Sequence, residues 1–96
     1  MRYKLNDEVV YSKVCNVHLL ITTRKAWDKL DPIKRLSPIQ GCFCYGIERG
    51  MSDEEIISGL ILPEGLSRDV IHKRFESFIN SMTEKGYVIP LGDDND

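Results

Sequence analysis

The period of the apolar residues changes once along the chain. As far as Thr22 it suits strands, and from Ile39 onward apolar residues recur every three or four positions. "EVVYSKV" and "VHLLITT" are rich in β-branched residues and flank Cys15-Asn16, where asparagine tolerates the left-handed conformation of a tight turn. A β-hairpin is predicted. With Cys15 and Asn16 as its turn, Val14 faces Val17, Ser12 faces Leu19 and Val10 faces Ile21. That register places Val10, Val14, Val17, Leu19 and Ile21 on one face, expected to be the core side, and Val9, Tyr11, His18 and Leu20 on the other. A lone hairpin is marginal in water, so further structure must cover it.

The next stretch, "TTRKAWDKLDPIKR", is polar apart from Trp27 and Leu30. Pro32 disfavours helical geometry at Asp31, so no helix runs through it. Two placements of a short third strand stay open, Ile33–Leu36, the preferred one, and Lys25–Leu30, where a helical turn also fits.

Three helices follow. Ser37-Pro38-Ile39-Gln40 combines an N-cap serine, a proline at the first helical position and a glutamine for a capping box. Ile39, Cys42, Phe43, Gly46 and Ile47 form its stripe, and Gly50 is the expected stop. Ser52-Asp53-Glu54-Glu55 is a second capping box, with acids where the helix dipole favours them. Ile56, Ile57 and Leu60 are its apolar face, bounded by Pro63 and Gly65. Ser67 opens the third helix, whose core stripe is Ile71, Phe75, Phe78 and Met82 with Ile79 at the flank, and Lys85-Gly86 ends it. "YVIP" at 87–90 is extended, and residues 92–96 are expected to be a disordered acidic tail after a single domain, 1–91. The class is α+β: a three-stranded N-terminal sheet, hairpin plus short third strand, followed by three α-helices in a winged helix-turn-helix-like layout.

Charge narrows the function classes. The tail holds three of the chain's 15 acidic residues, and the remainder nearly cancels the 13 basic ones. The body therefore lacks the strong positive field on which non-specific nucleic-acid binding relies. No apolar run approaches a membrane span, and "MRYKLNDEVV" lacks the features of a secretory signal, so a cytoplasmic protein without membrane association is expected.

Cysteine and histidine offer little chemistry. Residues two apart on a helix point about 200° apart, so Cys42 and Cys44 cannot share one ion. Cys42 falls in the apolar stripe and is expected to be packing, while Cys15 sits in the hairpin turn without a C-x-x-C partner. His18 and His72 have no ligand at metal spacing in sequence. No nucleophile elbow or phosphate-binding glycine loop is present. We expect no enzyme activity, no metal and no cofactor.

The third helix carries a second stripe, Val70, Arg74, Ser77 and Ser81, suited to lining a shallow groove. Arg68, His72, Lys73 and Arg74 crowd its start against the dipole preference, which points to an anionic partner. A small winged-helix DNA-binding regulator is the alternative, with this helix in the major groove; Asp69, Glu76 and Glu84 on its outer face oppose it.

"RYKLNDEVVYSKV…VHLLI", "RLSPIQGCFCYGIERGMSDEEIISGL" and "RFESFINSMTEKGYVI" together resemble the PqqD-like family, the RiPP recognition elements. Leu36-Ser37-Pro38 matches that family's strand-to-helix step, Ser52-Asp53-Glu54-Glu55-Ile56 its second helix, and Met82 to Val88 the end of its long helix. Trp27 to Asp31 is extra sequence where such proteins usually have a brief turn. The resemblance implies a non-catalytic protein that binds the leader of a ribosomally made precursor peptide and presents it to a modifying enzyme, often a radical S-adenosylmethionine enzyme. It implies β-augmentation, with the leader added to the edge of the third strand, Ile33, Lys34, Arg35 and Leu36, against a helix wall of Val70, Arg74, Ser77 and Ser81. Lys34 and Arg35 also guard that edge against self-pairing. With Lys73 and Arg74 nearby, they favour a leader bearing Asp or Glu beside apolar anchors. Exposed edges leave room for a homodimer.

Overall fold

The computed structural model describes residues 2–60 and 65–92. The elements are β1 (Arg2–Leu5), β2 (Val9–Val14), β3 (Val17–Thr22), a 3-10 turn at Arg24–Ala26, β4 (Ile33–Leu36), α1 (Pro38–Glu48), α2 (Asp53–Ser58), α3 (Arg68–Lys85) and β5 (Val88–Gly92). This is the expected α+β order, with the third strand at Ile33–Leu36.

The hairpin turn is as the sequence dictates. Cys15 and Asn16 both take positive φ, 50° and 64°, and Val14 pairs with Val17, Ser12 with Leu19 and Val10 with Ile21. β4 joins antiparallel to β3, giving the order β2-β3-β4.

The face assignment is reversed. Leu20 is completely buried and Val9 and Thr22 nearly so, whereas Val10 and Val14 are each 53% exposed and Ile21 is also exposed. Strand alternation tells which residues share a face, but the connection to the helices decides which face is covered. Here Leu36, on the Leu20 side, is buried and leads directly into α1, so the helices cover that side. His18 fits beneath α1 because its Nδ1 lies 2.7 Å from the Tyr11 hydroxyl and because residue 41 is glycine. A Cβ at Gly41 would stand 2.0 Å from His18 Nδ1. The outer face keeps Val10, Val14, Ile21 and Ile33 in solvent.

α1 and α2 begin with full capping boxes, Ser37 with Gln40 and Ser52 with Glu55, and Ser67 caps α3. Gly86 ends α3 at φ 94°, a conformation disfavoured by any Cβ. Arg68 reaches back to the carbonyls of Ile57 and Leu60 near the end of α2. One of the cations at the start of α3 thus satisfies backbone acceptors. α2 ends at its C-cap Gly59; its expected bound, Pro63, lies outside the described residues.

β1 and its antiparallel pairing with β5 were not expected. The "RYKL" segment is too short and polar to announce a strand. Asn6 ties it down, since its side-chain amide donates to the Gly86 carbonyl at 2.9 Å and its backbone N–H to the Tyr87 carbonyl at 2.8 Å. β5 extends through Gly92, one residue into the expected tail, and residues 93–96 lie outside the described residues. No described helix is long and apolar enough to cross a membrane.

One core joins Leu20 and Leu36 to Phe43 and Ile47 of α1, Ile56 of α2 and the α3 stripe from Ile71 to Met82. Leu20→Ala is expected to cost about 2–5 kcal/mol in urea unfolding. Val10→Thr or Ile33→Thr on the outer face should cost about 0.5 kcal/mol or less. Gly41→Ala should cost about 1–3 kcal/mol through its collision with the imidazole, and a double-mutant cycle with His18→Ala should recover most of that loss.

Candidate binding groove

β4 is an edge strand, and its hydrogen-bond phase follows from the hairpin. A two-residue turn makes Val14 and Val17 a hydrogen-bonded pair, so alternate β3 residues, His18 and Leu20, bond towards β4. Thr22, next in that series, donates its N–H to the Pro32 carbonyl at 2.9 Å. Their partners Leu36 and Lys34 are therefore engaged with β3, while the backbone N–H and C=O groups of Ile33 and Arg35 point to the open side. Among the described residues no strand occupies that side.

The side chains divide the other way. Lys34 turns toward the helices, into a groove of about 430 Å³ between β4 and α3. The α3 wall is one stripe, Arg74, Ser77, Phe78, Ser81, Met82 and Lys85, and α1 contributes Ser37, Ile39, Gln40 and Phe43. Phe43 is wedged edge-on against Phe75 at 5.0 Å and lies 5.7 Å from Phe78, so the groove floor is part of the core. Ser37 and Gln40 at the lip hold each other in the capping box, at 3.0 and 3.2 Å.

Of the residues expected at a site, Lys34, Arg74, Ser77 and Ser81 meet in this groove. Leu36 is buried in the core instead, 4% exposed. Ile33 and Arg35 present their backbone to the edge and their side chains to the outer face, Ile33 being 62% exposed. Val70 and Lys73 lie on α3 outside the groove, before Arg74. Lys85, Ile39, Gln40 and Phe43 were not singled out. Lys85 was open to detection, because it stands eleven residues beyond Arg74 on the same helical stripe. Phe43 was not, because a core aromatic and a groove-floor aromatic look alike in sequence.

A second hollow, of about 380 Å³, opens on another side of α1, among Tyr11, His18, Cys42, Tyr45, Met51 and Leu60. Burial pushes the Tyr11 phenol above its ordinary pKa, and its hydroxyl shares a hydrogen bond with His18 Nδ1 at 2.7 Å. Cys42 stands exposed here and Cys44 is the buried thiol, contrary to the expectation that Cys42 packs. α1 is covered on more than one side: Phe43 meets α3, and Gly46 lies so close to Ile56 that a Cβ there would be 2.5 Å from it. A single 3.6-residue stripe therefore does not describe its buried surface. The two sulfurs do diverge, as their spacing requires.

No family model and no curated protein matches the sequence. Among solved structures, the fold matches TbiB1 in complex with the TbiA(beta) leader peptide, with a TM-score of 0.73. Identity is 17%, and the match covers 94% of this chain and 99% of that one. This chain has the TbiB1 fold. The likeness spans sheet and helices together and confirms the winged-helix-like layout, whereas the PqqD-like resemblance rests on the short motifs given above.

Burial raises the Cys44 thiol from 9.0 to about 12, with Glu48 adding to the shift. Its neutral form is the one the fold accommodates, so stability is intact below pH 9 and declines as pH rises from 9 towards 12. At pH 8, iodoacetamide should modify Cys15 and Cys42 readily and Cys44 only after unfolding; mass mapping of the modified thiols checks this.

Proposed function

We propose that this protein captures the leader segment of a ribosomally synthesised precursor peptide by strand addition to β4. It presents the peptide to a modifying enzyme, a radical S-adenosylmethionine enzyme in this reading, and performs no catalysis itself. One observation carries the proposal: the backbone of Ile33 and Arg35, which no strand among the described residues pairs, runs along a groove whose opposite wall is α3. An extended peptide there gains backbone hydrogen bonds from β4 and side-chain contacts from the groove. Support also comes from TbiB1, which has this fold and was solved with a leader peptide. The DNA-binding alternative is weakened by Glu76, which pairs with His72 at 3.3 Å on the exposed side of α3 and puts an acid where phosphates would approach.

The test is titration with the leader peptide encoded beside the gene, by fluorescence anisotropy. Arg35→Pro removes an N–H that faces the open edge, so it should spare the thermal melt yet weaken binding about tenfold or more. Arg35→Ala keeps the N–H and should stay within about threefold of the parent. Normal binding by a folded Arg35→Pro protein would exclude this edge as the docking strand.

A further inference from the structure

The groove has a charge pattern that the peptide must match. Its lining among the described residues includes three cations, Lys34, Arg74 and Lys85, and no carboxylate. Among the described residues none of the three is in an ion pair. Lys34 lies 5.9 Å above the Tyr87 ring, and Tyr87 directly follows the C-terminal turn of α3. The Tyr87 hydroxyl also accepts from the Asp31 N–H at 3.1 Å, so β4 begins beside the end of α3. Lys34 and Lys85 therefore sit towards one end of the groove and Arg74 towards the other. Ser77 and Ser81 lie between on the wall, above the apolar floor of Phe43, Phe78 and Met82.

Spacing converts this pattern into a sequence preference. Arg74 and Lys85 are eleven helical residues apart, about 16 Å along α3 at the usual rise per residue. A strand advances about 3.3 Å per residue and turns alternate side chains to one face, so positions i and i+4 lie about 13 Å apart on the groove side. The four-residue β4 spans about 10 Å from end to end, so the added segment runs about one residue beyond it. Long cationic side chains cover the remaining few ångströms. Position i+2 then faces the apolar floor, while i+1 and i+3 turn to the outer face.

We infer that the segment this groove selects carries two acidic side chains four residues apart with a large apolar side chain midway, one acid meeting Arg74 and the other Lys34 and Lys85. This rests on the strand-addition reading above and specifies its ligand. Both Arg74 and Lys85 are solvent-exposed, so each end contributes modestly, up to about fivefold in affinity, and less at high salt. The apolar anchor and the edge hydrogen bonds supply the remainder.

A phage-displayed library of randomised twelve-residue peptides, selected on the full chain, tests both layers. Enrichment is measured against the Arg35→Pro protein. The expected winners carry Asp or Glu at i and i+4 around Leu, Ile, Phe or Tyr. Repeating the selection on Arg74→Glu should remove the acid at one end only, and Lys34→Gln with Lys85→Gln the acid at the other. Winners that depend on an intact Arg35 but lack acids, or that space them differently, overturn the charge pattern and leave strand addition standing. Equal selection on the Arg35→Pro and parent proteins overturns strand addition, and this inference with it.

Discussion

The contact of Phe43 with Phe75 and Phe78 is the constraint from which the rest of the molecule follows. It locks α1 against α3, with ring centroids 5.0 and 5.7 Å apart, and Tyr3 of β1 joins the same cluster through Phe75 at 6.1 Å. Because Phe43 also lines the groove, the depth of the groove is set by core packing and not by a loop. A peptide entering it meets a surface already in place, so the ordering cost falls mainly on the peptide. The same rigidity makes substitutions on the floor poor probes of binding, since they disturb the core first.

Around that cluster, the sheet is arranged so that one strand serves two purposes. Lys34 and Leu36 use their backbone to hold β4 to β3 and their side chains to face the helices. Ile33 and Arg35 do the reverse, with backbone to the open edge and side chains to the outer face. Period-two alternation thus separates the groups that hold the strand from the groups it offers. An added strand would continue both surfaces, its alternate side chains entering the groove or extending the aliphatic outer face of Val10, Val14, Ile21 and Ile33.

Most of the fold was legible because its signals are local. Serine caps, capping boxes, the Gly86 stop and the left-handed Cys15-Asn16 turn each depend on a few neighbouring residues, and all are realised. β1 escaped notice because its stability comes from β5 and from the bonds of Asn6 to Gly86 and Tyr87, some eighty residues away. The groove was half legible: Arg74, Ser77, Ser81 and Lys85 share one helical stripe, but Phe43 acquires its place on the floor only once α1 packs against α3.

By itself the sequence determined the hairpin register, the three helices, their capped starts and the divergence of Cys42 from Cys44, because backbone geometry propagates over a few residues. Which side of the hairpin is covered, and which of the two thiols is buried, was decided only in the tertiary structure. Alternation and helical pitch are symmetric with respect to inside and outside. Packing breaks that symmetry: α1 settles on the His18 side, where Gly41 leaves room for the imidazole, and that choice buries Leu20 and frees the aliphatic face.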